Sequence, residues 1–75
     1  MFTGEHLRIV RQIKGNQTQE AISKKLRIKQ PAYNKWEKSK SITEKKLGRF
    51  LKAIPCSKDE FEKIVKLLLL PAKLN

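Results

Sequence analysis

Cys56 is the only cysteine in the chain, so no internal disulfide can hold it together. With a single histidine, His6, besides it, the chain offers no metal-ligand set and no Cys–His nucleophile pair with a credible orienting group. Three glycines and three prolines leave no room for a glycine-rich phosphate loop or a long flexible linker, and no internal repeat is present. The longest apolar run, residues 64–70, is interrupted by Lys66 and is far too short to cross a bilayer. Met1–Lys14 mixes charge with apolar residues, unlike a signal peptide. Together these absences exclude a disulfide scaffold, a metal or cofactor protein and a membrane protein. They also leave no constellation for an enzyme. The expectation is a chain working in the cytoplasm, associated with the nucleoid.

Acid is scarce as well. Seven Asp and Glu stand against 18 Lys and Arg, a formal net charge of +11 in 75 residues. Such an excess repels itself in the compact state and points to an anionic partner. The excess is uneven: residues 1–54 hold 14 basic and 4 acidic side chains, while residues 55–75 hold 4 and 3. The first two-thirds are therefore expected to meet a polyanion, and the last third to do something else.

What is present is helical periodicity. A length of 75 residues allows one domain, residues 1–75, with a core so small that dimerisation is a common remedy. The pattern predicts an all-α domain of five helices. The first runs from about Thr3 to Lys14, with Leu7, Val10 and Ile13 inward, and Gly15 and Asn16 end it. Thr18 caps the second, which places Ile22 and Leu26 on one face. The third carries Pro31 in its first turn and a stripe of Tyr33 and Trp36. A fourth follows a capping box at Ser41–Glu44, packs Leu47, Phe50, Leu51 and Ile54, and ends at Pro55. The fifth follows a second box at Ser57–Glu60, packs Phe61, Ile64, Val65 and Leu68, and ends at Pro71. Leu67, Leu69 and Leu70 fall outside that stripe, an apolar surplus on residues 58–70 that suggests a dimer contact.

The segment 18–39, TQEAISKKLRIKQPAYNKWEKS, carries the functional argument. It reads as two short helices joined by a tight turn at Arg27-Ile28-Lys29, with Ile28 plugging the core. Such a unit can present its second helix to the DNA major groove. A groove-reading helix needs amide or basic groups near its N-terminus, because these pair with purine edges. Lys29, Gln30 and Asn34 supply them, Ala32 could meet a thymine methyl, and Lys35 could reach a base or a phosphate. Thr18 and Gln19 lie at a helix N-terminus that favours an anion, and Arg27, Lys38 and Lys40 are further candidates for phosphate contact. About five phosphates per subunit would give a dimer a log–log salt slope near −9.

This segment resembles the Cro/repressor type of helix-turn-helix, the xenobiotic response element family, over roughly residues 4–66. In that family Gln opens the second helix, as Gln19 does, and aliphatic residues follow at the places of Ile22 and Leu26. An apolar residue plugs the turn, here Ile28, and an aromatic or aliphatic residue and a Trp/Leu/Ile–Glu pair close the third helix, here Tyr33 and Trp36-Glu37. The resemblance implies the compact five-helix fold of lambda-repressor-like domains. It also implies base reading by the third helix and an ion pair between an Arg of the first helix and Glu37. Arg11 is the expected partner, and a loop one residue longer than usual keeps Arg8 open. Three positions depart from the pattern: Ser23 replaces a small residue that is usually Ala, Arg27 replaces the Gly of the turn, and Ser39 replaces a Gly after the closing Glu. At Arg27 a positive φ is expected.

The function expected is sequence-specific binding of double-stranded DNA by a small transcriptional repressor that acts on a palindromic operator as a homodimer, without a cofactor. The alternative is a protein-interaction module, antitoxin-like, whose basic face binds an acidic protein partner. Tyr33 and Trp36 could stack on bases, but their helical spacing favours core packing. Cys56 reads as a small apolar residue and His6 as a packing or capping group.

Overall fold

A computed structural model describes residues 2–15 and 17–74, with side-chain surroundings known up to Leu67 apart from Gly15. Five α-helices follow one another: α1 (Gly4–Val10), α2 (Gln19–Leu26), α3 (Gln30–Glu37), α4 (Glu44–Ala53) and α5 (Lys58–Leu74). No strand occurs among the described residues.

The N-terminus is strapped to the far side of α3. Gly4 N–H donates to Ser39 O at 2.9 Å, and Ile42 N–H donates to Phe2 O at 2.8 Å. α1 opens with a capping box in which Thr3 N–H donates to His6 Nδ1 at 3.0 Å and the Thr3 hydroxyl accepts from His6 N–H. The helix then does not continue regularly to Lys14 as its periodicity predicts. It widens into a π-helical stretch, Arg11–Gly15, which accommodates one more residue per turn. That widening turns Ile13 away from the core, and it is 55 % exposed.

Thr18 caps α2 through a bond from Ala21 N–H at 3.1 Å. α2 ends in a left-handed residue, Arg27, at φ 60° and ψ 40°. There Arg27 N–H donates to Lys24 O and Ile28 N–H to Ser23 O, the paired bonds of a Schellman ending. This ending reverses the chain and sends it into α3. Lys29 is the N-cap of α3 but contributes no side-chain cap, and Pro31 sits in the first turn, where its missing N–H costs nothing.

Two helix boundaries differ from the sequence reading. α4 is capped by Thr43 and not by Ser41, because the backbone at Ile42 is drawn into its bond with Phe2 and stays extended. Pro71 does not end α5, which runs to Leu74; a single missing donor near the last turns is not enough to stop it.

Leu7, Val10, Ile22, Tyr33, Phe50 and Phe61 are fully buried at the centre of one core. Leu26, Trp36, Ile42, Leu47, Ile54 and Val65 complete it, with Ile28, Leu51, Cys56 and Ile64 half-buried around it. Phe61 brings α5 against both ends of the chain's aromatic set, edge-on to Phe2 at 4.8 Å and to Phe50 at 6.3 Å. Leu68 and the surplus at Leu69 and Leu70 lie outside the residues whose side chains are described. α2 and α3 pack on each other, α3 on α1 and α2 on α4, while α5 packs on α1 and the outer face of α3 is left open.

Candidate nucleic-acid interface

The face of α3 opposite the core follows from its 3.6-residue period. Tyr33, Trp36 and Glu37 point inward and are buried. Gln30, Pro31, Ala32 and Lys35 are exposed, and Asn34 is half-buried. Lys29, Lys38 and Lys40 are exposed at the two ends of the helix. None of Lys29, Lys35, Lys38 or Lys40 is held in an ion pair among the described residues. Their charge is therefore open to an outside anion.

A shallow cleft of about 350 Å³ separates the N-terminal end of α2 from α3. Gln19, Gln30, Pro31 and Asn34 line it. The structure thus brings together two of the base-reading candidates, Gln30 and Asn34, with one phosphate candidate, Gln19. Thr18 sits exposed at the end of the same helix. Arg27 is at the other end of α2, away from this cleft.

Beneath the cleft lies a buried ion pair. Arg11 Nε donates to Glu37 Oε2 at 2.6 Å and Arg11 Nη2 to Glu37 Oε1 at 3.2 Å, a two-pronged contact. Both residues are under 10 % exposed. Arg11, and not Arg8, is the partner; Arg8 is turned outward to Glu5. The third guanidinium nitrogen, Nη1, donates to Gln17 O at 2.6 Å, which pins the loop before α2. Burial works to raise the Glu37 pKa, but the hydrogen bonds it accepts from Arg11 and its other neighbours outweigh that and hold it below the ordinary carboxylate value. The Tyr33 hydroxyl is buried beside the pair without a hydrogen bond of good geometry, and burial pushes its pKa well up, with Glu37 adding to the effect.

Gln19 joins the pair to the surface. Its Nε2 donates to Glu37 Oε1 at 2.8 Å and to Asn34 Oδ1 at 3.1 Å. An ionised carboxylate only accepts, so the Gln19 amide can face it only with its nitrogen. The remaining N–H then meets the Asn34 carbonyl, which fixes the Asn34 amide with its oxygen toward Gln19. The Gln19 amide nitrogen thus has an interior task and its carbonyl oxygen stays uncommitted, while the phosphate contact expected at Thr18 and Gln19 draws on the helix N-terminus and is untouched by these bonds.

Two further residues were missed at the level of sequence. Gly4 touches the end of α3 so closely that a Cβ would collide with the carbonyl oxygens of Trp36 and Glu37. No motif marks such a contact, because it depends on how α1 lands on α3. Arg49 Nη2 donates to Leu26 O at 2.7 Å, while its guanidinium lies 5.5 Å from the centroid of the Trp36 ring. Lys46 lies at 5.5 Å from the same ring. Trp36 is thus a packing residue with two cations over it, and it has no exposed face for a base.

Among the described residues no group of His, Cys, Asp and Glu is gathered as a metal site, and no helix is long and apolar enough to cross a membrane. The family model described as Helix-turn-helix matches residues 7–61 of the chain. Neither the curated proteins nor the solved structures include a match.

Proposed function

Because the chain belongs to the helix-turn-helix family of DNA-binding regulators, we propose that it reads a specific operator with α3 and represses transcription as a homodimer on a palindromic site. The observation that carries this reading is the outer face of α3. It carries exposed amide and cationic groups, and one of its amides, Asn34, is tied through Gln19 to the buried Arg11–Glu37 pair. In this proposal Gln30 and Asn34 pair with base edges, Lys29 and Lys35 reach bases or flanking phosphates, and Ala32 contacts a thymine methyl. Thr18, Lys38 and Lys40 contact the backbone and hold the register. Pro31 stands where a reading side chain would otherwise project, so the half-site read by each subunit is short.

Pairing of two copies is supported by the exposed apolar side chains at the α1–α5 edge. Leu67 is 65 % exposed and lies on the same face of α5 as Glu60, one heptad earlier. Glu60 Oε2 in turn accepts from Lys14 Nζ at 2.6 Å, next to the exposed Ile13. Leu67→Glu combined with Leu70→Glu is expected to lower both mass in solution and operator affinity; no change in either would remove the dimer from the proposal.

The test of base reading compares two double variants on operator and on unrelated duplex. Gln30→Ala with Asn34→Ala should abolish the preference for operator while leaving nonspecific binding in place. Lys24→Ala with Lys25→Ala should leave the preference intact. The reverse pattern would mean that the basic face acts by charge alone.

A further inference from the structure

A second cleft, of about 490 Å³, lies at the opposite end of α2 from Gln19. Leu26, Ala53 and Pro55 give it an apolar floor, and Lys25, Arg27, Arg49 and Lys52 its rim. No acidic residue lines it. Gln19 and Leu26 are seven residues apart on one helix, a distance of about 10 Å along its axis, so the two clefts open at different ends of α2. We propose that this second cleft is a docking site for an acidic segment of a partner protein that inserts an apolar side chain between the cations. The proposal goes beyond operator binding, since the partner would be held while α3 is on DNA.

Three observations commit the site to that occupant. First, the rim carries four cations and the floor is apolar, a combination that suits a peptide with carboxylates around a Leu or Phe anchor. A phosphodiester backbone would gain nothing from the apolar floor. Second, Lys25, Arg27 and Lys52 have no ion-pair partner among the described residues, whereas Arg49 is held in place by Leu26 O and the Trp36 ring. One rim cation is thus pre-oriented and the others are available. Third, Arg27 occupies a left-handed conformation that glycine adopts freely and an L side chain adopts under strain. A cation is kept at a position where the backbone disfavours it, which a use for the charge would explain.

The experiment is selection from a displayed library of random peptides, with the whole protein as bait, free and saturated with duplex DNA. The expected result is enrichment, on both baits, of peptides that combine Glu or Asp with a large apolar residue. An enriched peptide should perturb the NMR signals of Leu26 and Ala53. Its affinity should fall about tenfold or more for Lys52→Glu, while DNA binding by that variant is unchanged. Lys52 is exposed, so loss of fold does not confuse the result. Four results would overturn the proposal: no enrichment, peptides without acidic residues, displacement of the peptide by DNA, or a lower salt slope of DNA binding in the variant. The last would assign these cations to phosphates. Failure of operator reading by α3 would leave the free-bait arm interpretable, so the two ideas fail separately.

Discussion

Gln19 and Glu37 are joined by a 2.8 Å hydrogen bond from amide nitrogen to carboxylate, and the same nitrogen reaches Asn34 Oδ1 at 3.1 Å. Orientation therefore passes from a buried charge to the half-buried Asn34 amide through one side chain. Gln19→Met keeps the volume and removes the donor. It should weaken the base preference at the one position that Asn34→Ala also weakens, by part of the roughly 1–3 kcal/mol that a good base contact contributes. The salt slope should stay the same. If Gln19 instead served a phosphate, the slope of a dimer would fall by about 2 and base preference would not move.

The Arg11–Glu37 pair should dominate the response of the fold to single substitutions. Removing either partner strands the other charge in the interior, at a cost of about 3–5 kcal/mol. Arg11→Met or Glu37→Leu alone is expected to lower the midpoint of urea unfolding sharply, whereas the two together should recover much of the loss. Additive losses in the double variant would show that the pair is not coupled.

Acid should weaken the fold over two successive pH ranges. The His6 pKa is depressed below 6.5, by burial first and then by the neighbouring N-terminal charge. A depressed histidine folds best when neutral, so its contribution is complete above pH 6.5 and is lost as pH falls below that value through the lower folded pKa. Protonation also destroys the acceptor that Thr3 N–H uses. Glu37 is depressed below 4.5, so its contribution is complete above pH 4.5 and is lost as pH falls further. Thermal melts from pH 7 downward should show both declines. His6→Gln, which can still complete the capping box, should erase the upper one only.

Two backbone positions should respond in opposite directions to the removal or addition of a side chain. Arg27→Gly frees a residue at φ 60° and should stabilise the fold by about 1 kcal/mol. Gly4→Ala drives a methyl into the Trp36 and Glu37 carbonyls and should destabilise it by about 1–3 kcal/mol or more. Equilibrium unfolding of the two variants checks both signs.

The sequence carried the helices well because apolar spacing and turn residues are local properties. Ile22 with Leu26 and Tyr33 with Trp36 needed only a period, whereas the left-handed Arg27 followed from the family resemblance, in which a Gly holds that place. The misplaced cap of α4 has a nonlocal cause, unlike the outward turn of Ile13. Ser41 loses the cap of α4 to Thr43 because Ile42 bonds to Phe2 at the other end of the chain, and Ile13 turns outward because the chain widens at Arg11. The shared face of Gln30 and Asn34, which line one cleft, was legible from their spacing. The interior task of Gln19 and the close approach of Gly4 were not, since each arises only when α1, α2 and α3 meet.

The central claim is that α3 reads base sequence. Selection from a random double-stranded DNA library at about 150 mM salt, which suppresses phosphate-only binding, tests it most directly. The account predicts enrichment of an inverted repeat with half-sites about one helical turn apart. Binding that is equal on every duplex and vanishes with salt would contradict it.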